Sequence, residues 1–193
     1  MPLAEGDHAV LMREAIAQDG RGQRALLEGR DAVDALEAAA ALYRASWEAA
    51  PPRSYGRLIG MLKAAVLAGD ASSEARYARR AIGAAADSPP ASYAVAIAAL
   101  VEGDDGAAAA AAAGMRAGSP PMVRAADAIG ALAARDASAY GDAIRAIVAD
   151  FERREEHLTG VAIADTALML ERLAAARAMA SGATSPLLPA GAG

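Results

Sequence analysis

An all-α fold is predicted by three features of the sequence. Alanine, the strongest helix former, fills 59 of the 193 positions. Aromatic residues make up only 4% of the chain and β-branched residues are sparse, which leaves little material for a sheet. Between short Gly/Asp and Pro-Pro punctuation marks, apolar residues recur at helical spacing. The same composition excludes whole classes of chemistry. With no cysteine there is no disulfide, thiolate metal site or cysteine nucleophile, and a zinc site could draw only on His8 and His157 plus carboxylates. No metal and no cofactor are therefore expected. Arginine replaces lysine almost everywhere, Lys63 being the single exception, so an arginine here reflects compositional bias before it reflects chosen bidentate chemistry. A net charge of −5 with a pI near 5.1 argues against nucleic acid as a partner.

Self-similarity orders the helices. Leu27 and Asp31, Val66 and Asp70, Leu100 and Asp104, and Leu132 and Asp136 each place an aliphatic residue four before an aspartate. The Asp-to-Asp spacings are 39, 34 and 32 residues, and Leu42, Ala81, Met115 and Ile147 follow eleven residues after each. Each aspartate stands where an N-cap or first-turn anion would satisfy free N–H groups of a following helix. The pairs Pro51-Pro52, Pro89-Pro90 and Pro120-Pro121 then separate one hairpin from the next, since proline cannot continue a helix but suits the first positions of a new one. Gly/Asp turns within hairpins and Pro-Pro turns between them are the grammar of tetratricopeptide-like stacking, although the tetratricopeptide consensus of Trp, Gly and Tyr positions is not matched.

In chain order this predicts helices over 6–18 and 23–29, with Asp19 to Gly22 between them, then 31–49, 54–68, 71–86, 91–102, 105–117, 121–134, 137–157 and 162–180. Over 137–157, Ile144, Ile147, Val148 and Phe151 form one stripe. In the last helix, Val161, Ile163, Leu168, Met169, Leu170 and Leu173 wrap most of the circumference, which predicts burial on more than one side and a helix sealing the end of the array. The expected architecture is a tetratricopeptide-like array of helical hairpins with a buried C-terminal capping helix over 1–181, followed by an irregular Gly/Ala/Pro tail over 182–193 pinned by Leu187 and Leu188. No stretch approaches the ~18 apolar residues of a membrane span, and the N-terminus lacks the basic start and apolar run of a signal peptide, so a cytoplasmic location without membrane partners is expected.

Candidate chemistry is thin. His157 follows Glu155 and Glu156, with Asp165 eight residues on, and reads either as a carboxylate-oriented base or ligand or as a histidine drawn to the negative end of its helix dipole. His8 lies near the terminus, where fraying is expected. The glycines form neither a dinucleotide nor a P-loop fingerprint, and Gly60 and Gly83, inside predicted helices, suggest close helix approach. The acidic run from Glu102 to Asp105 lacks the alternating ligands of a calcium loop and reads as a hairpin turn. Tyr43, Arg44, Trp47, Arg53, Tyr55 and Arg57 concentrate around the first Pro-Pro turn and are either core between the first two hairpins or a candidate partner-binding patch, with a homodimer as one form of it.

The C-terminal third carries a further pattern: Arg135 and Asp136, Tyr140, a helix running to Glu156 and His157, an apolar helix ending near Arg177 and Met179, then Ser185, Pro186 and Pro189. Over about 60 residues this resembles the end of the bacterial polymorphic-toxin immunity protein 49 family. The resemblance implies an all-helical, non-enzymatic protein that binds and neutralises a cognate toxin. A scaffold or adaptor would share the same array, and a small-molecule-binding or hydrolytic protein using His157 is the rival from another class. The repeat itself is testable: Asp→Ala at position 31, 70, 104 or 136 is expected to lower stability by about 1 kcal/mol each in urea denaturation, whereas no change at any of the four would remove the capping role on which the hairpin boundaries rest.

Overall fold

The computed structural model describes residues 6–83 and 86–191. Nine α-helices run through them: α1 (Asp7–Leu27), α2 (Val33–Ala49), α3 (Gly56–Ala68), α4 (Ser72–Ile82), α5 (Pro89–Glu102), α6 (Asp105–Met115), α7 (Pro120–Ala133), α8 (Ala137–Glu152) and α9 (Asp165–Ala175). Consecutive helices pack as hairpins, α1 with α2, α3 with α4, α5 with α6 and α7 with α8, and the first helices of neighbouring hairpins meet as α3 on α5 and α5 on α7. The protein is thus all-α with repeated hairpin contacts.

The four repeat aspartates open the second helix of each hairpin. Asp104 Oδ1 accepts from Ala107 N at 2.9 Å and Asp136 Oδ1 from Ala139 N at 3.0 Å. Asp31 and Asp70 sit one residue earlier and accept from Val33 N and Ser72 N at 3.0 and 2.9 Å. Pro89 and Pro120 each occupy the first position of a helix, behind Ser88 and Ser119. Neither serine side chain caps: the prolines remove the N–H groups at the first two helical positions, and the N–H at the third, of Ala91 and Met122, donates no bond to the serine side chain.

Four boundaries differ from the sequence expectation. One is the last helix, which runs Asp165–Ala175 and not 162–180 because the chain beyond Ala176 turns back onto Leu100 and Asp105 through Arg177. The break expected between 18 and 23 does not occur, and α1 is a single helix of 21 residues. Gly20 and Gly22 lie inside it because neighbours crowd its backbone. A Cβ on Gly22 would stand 2.5 Å from Leu36 Cγ, and one on Gly20 would stand 3.0 Å from the Thr159 carbonyl oxygen. Helix α4 ends at Ile82, so Gly83 is not helical but closes the helix at φ 82°; Ala84 and Ala85 of the expected helix lie outside the described residues. Helix α8 stops at Glu152, not 157, because its buried stripe ends at Phe151 and the next inward positions, Arg154 and Glu155, have nothing apolar to bury.

The last helix also sits elsewhere than expected. It is buried, with Leu168, Met169 and Leu170 at 1% exposure or less, but it packs against α3, α7 and α8 and so lies across the middle of the array instead of sealing its end. The chain after α9 is irregular. Arg177 donates to the Leu100 carbonyl at 2.8 Å and to Asp105 Oδ1 at 2.9 Å, while Leu188 is buried and the Leu187 carbonyl accepts from Ala164 N at 2.9 Å.

The glycine contacts yield opposite expectations at two helical positions. Gly22→Ala is expected to destabilise the protein by about 1–3 kcal/mol through overpacking against Leu36. Gly130→Ala in α7, where an added Cβ meets nothing within 4 Å, is expected to stabilise by ~0.4–1 kcal/mol. Urea melts of the two variants check the pair, and a stabilised Gly22→Ala would contradict the close α1–α2 approach.

Candidate functional site

A cavity of about 310 Å³ opens where α1, α3, α5 and α8 face the connection between α8 and α9. Its walls are mostly apolar, with Ile59, Met122, Ile147, Val161 and Ile163 among them, and its floor is charged. Helical spacing builds that floor. Asp19 and Gln23 stand one turn apart on α1, and Gln23 Nε2 donates to Asp19 Oδ1 at 3.0 Å. From α2, the Tyr43 hydroxyl donates to Asp19 Oδ2 at 3.1 Å. From α3, Lys63 Nζ reaches Asp165 Oδ2 at 2.5 Å and Thr166 Oγ1 at 3.0 Å on the first turn of α9. Thr166 spends its own proton on Asp165 Oδ1, 3.3 Å away.

The connection over 153–164 is tied onto this floor by Thr159 Oγ1, which donates to Gln23 Oε1 at 2.5 Å. A continuous polar chain therefore runs from the connection through Gln23 to Asp19 and Tyr43. At the other side of the mouth, Asp150 takes Arg124 at 2.5 Å and Arg154 at 2.6 Å, and the Arg154 guanidinium lies 3.7 Å from the Phe151 ring centroid.

Burial sets the electrostatics. Asp19, only 7% exposed, has its carboxyl pushed up to about 6 by burial first and by the neighbouring Asp165 carboxylate second, against the smaller pull of Lys63, Tyr43 and Gln23. For Lys63, burial disfavours the ammonium, but Asp165 outweighs it and holds the group above its ordinary value, so it stays charged. Burial and the Asp19 charge drive the Tyr43 phenol far up, which keeps it a donor. At Asp150 burial acts upward, and the hydrogen bonds of Arg154 and Arg124 overcome it and hold the carboxyl low.

His157 lines the cavity half-exposed, with its ring stacked on Phe151 at 6.2 Å between centroids. It is no longer at a helix end, since α8 stops five residues earlier. Among the described residues no carboxylate is hydrogen-bonded to it. Asp165 is engaged by Lys63 and Thr166, and Glu155 and Glu156 are exposed. His8 Nδ1 lies 2.9 Å from the Arg57 guanidinium, away from the cavity. Among the described residues no group of three or more His, Asp or Glu could hold a metal ion, and no helix is long and apolar enough to cross a membrane.

The residues around the first Pro-Pro turn separate into two kinds. Tyr43 is buried at 1% exposure and belongs to the cavity floor. Arg57 turns inward to Ser46 Oγ at 2.7 Å. Trp47 is half-buried and stacks on Tyr55 at 5.6 Å, Arg44 lies over the Tyr77 ring at 3.9 Å, and Arg53, at φ 71°, pairs with Asp87 at 3.1 Å. Sequence reasoning missed Asp19, Lys63 and Tyr93 as site residues. One signal was present: the only lysine of the chain interrupts the apolar run from Leu58 to Leu67. The chain matches no protein-family model, no curated protein and no solved structure.

Because Asp19 binds its proton more tightly in the folded protein than at its ordinary value of 3.8, its contribution to stability is full below about pH 4 and is lost as pH rises through about 6. Two units correspond to about 3 kcal/mol. Relative to the natural protein, Asp19→Asn is expected to gain stability progressively between about pH 4 and 7. Parallel urea denaturation across that range measures the difference, and superimposable profiles would show that Asp19 is not buried as a carboxylate.

Proposed function

We propose that the chain is a non-enzymatic, tetratricopeptide-like binding module whose partner is another protein. The observation that carries this reading is the aromatic-arginine patch at the α2–α3 turn, where the only tryptophan stacks on Tyr55 and keeps open surface beside Arg44 and Arg53. Trp, Tyr and Arg are the side chains that most often anchor protein interfaces, and a rigid stacked pair loses little conformational freedom on binding. The hairpin array supplies the rigid frame, since two packed helices and a Pro-Pro turn fix the patch.

The finer reading is an immunity protein that neutralises a cognate bacterial toxin in the cytoplasm, supported by the C-terminal pattern from Arg135 to Pro189. The acidic surplus of the chain suits a basic toxin domain through charge complementarity. A scaffold or adaptor would use the same patch for a different partner, and a homodimer would pair two copies of it. Catalysis by His157 is disfavoured because its ring stacks on Phe151 and Asp165 is engaged by Lys63 and Thr166 instead.

Co-expression with the toxin domain encoded beside this gene tests the proposal. Growth is expected to be restored by the natural chain, and Trp47→Ala is expected to weaken the complex by roughly 30-fold or more while leaving helicity by circular dichroism unchanged. Absence of a toxin domain from the neighbouring reading frame, or growth arrest undiminished by the folded protein, would reject the immunity reading; an unaltered complex with Trp47→Ala would move the interface elsewhere.

A further inference from the structure

We infer that the cavity beneath the α8–α9 connection is a binding site for a small organic cation, an ammonium or guanidinium group carried on an apolar stem. The charge count on the floor carries the sign. Two carboxylates, Asp19 and Asp165, face one ammonium, and Lys63 commits itself to Asp165 and Thr166. Asp19 is left with two neutral donors, Gln23 and Tyr43, and forms no ion pair among the described residues. A buried carboxylate without a counter-charge is costly to keep and strongly attracts a cation that can reach it.

A second observation points to an occupant. Tyr93 lines the cavity and is 7% exposed, yet its hydroxyl makes no hydrogen bond among the described residues. It lies in the field of Lys63 and Asp165 and beside Thr166, whose single proton goes to Asp165 and so is not given to the Tyr93 oxygen. Buried hydroxyls are nearly always satisfied. A ligand ammonium carries three donors, so one can serve Asp19 and another the Tyr93 oxygen. Asp19 and Tyr93 both sense the Lys63–Asp165 pair, which puts them around the same end of the cavity.

The other walls set the rest of the ligand. Ile59, Met122, Ile147, Val161 and Ile163 offer an aliphatic sleeve to a stem. A volume of about 310 Å³ is at the small end for ligand pockets, which suits an amine of a few carbons and excludes a nucleotide. An anionic ligand is disfavoured because the two cations on the walls are already held, Lys63 by Asp165 and Arg154 by Asp150.

Calorimetric titration of the full chain near neutral pH with n-hexylamine, 1-hexanol and hexanoate tests the site. Saturable binding of hexylamine is expected, with hexanol and hexanoate weaker by roughly tenfold or more. Asp19→Asn keeps the shape of the floor and is expected to weaken hexylamine by roughly tenfold, with its thermal melt showing that the fold is intact. Tyr93→Phe, which removes only the unpartnered oxygen, is expected to weaken it by about threefold or more. A blocked lysine tripeptide separates sources: binding tighter than hexylamine makes the cation a partner's side chain, and weaker binding makes it a free amine. The inference is overturned by hexylamine failing to bind up to about 10 mM, by hexanol or hexanoate binding equally well, or by affinity unchanged in folded Asp19→Asn.

Discussion

The only ammonium side chain in the protein holds its architecture together. Lys63 rises from the middle of α3 and is gripped by Asp165 and Thr166 at the start of α9. Side chains on both partners are largely removed from water, at 16% and 23% exposure, so the pair is poorly screened and neither charge can be left alone cheaply. Its position decides the path of everything after α8. With the N-terminus of α9 fixed to α3, residues 153–164 must cross the face of the array, and the cavity is the space this crossing encloses. The pair therefore does more than add stability: it converts a row of hairpins into a body with an interior.

Much of that row was legible in the sequence, and the reason is local. An aspartate that accepts from an N–H two or three residues on, and a proline pair at the start of a helix, act within a single turn of chain. Asp31, Asp70, Asp104, Asp136, Pro89 and Pro120 accordingly mark boundaries without any knowledge of the fold. The errors arose where tertiary packing overrides local preference. Gly20 and Gly22 look like a helix break by propensity, yet Leu36 and the Thr159 carbonyl press so close to α1 that glycine is what a continuous helix needs there. The charged run after Phe151 looks like more helix, but with no partner to bury against it turns away into the connection.

The site was less legible still, because its charges meet only in three dimensions. Thr159 and Gln23 are 136 residues apart, and Lys63 and Thr166 are 103 apart. His157 drew attention because histidine is rare in this chain, yet it contributes a ring to the wall while the charge lies on Asp19, Lys63 and Asp165. Tyr43 read as half of an aromatic patch with Trp47, four residues away; on the helix the two diverge, Tyr43 beneath Gly60 and onto Asp19, Trp47 outward onto Tyr55. A lysine inside an apolar helix was the one linear sign of a buried polar centre.

The segment beyond α9 has a consequence for how the molecule comes apart. Simple hairpin arrays behave as one-dimensional chains in which each unit answers only to its neighbours, so that an end can fray while the rest stands. Here Arg177 is bonded to the Leu100 carbonyl and, together with Arg135, to Asp105 at the turn of the third hairpin, where these two guanidinium groups hold the carboxyl low against the upward effect of burial. These bonds span 77 and 72 residues and link the chain beyond α9 to the centre of the array. Loss of the segment beyond α9 would thus not shorten the array by one unit but withdraw the bracing of its middle; with the segment in place, hairpins answer to more than their neighbours and come apart together.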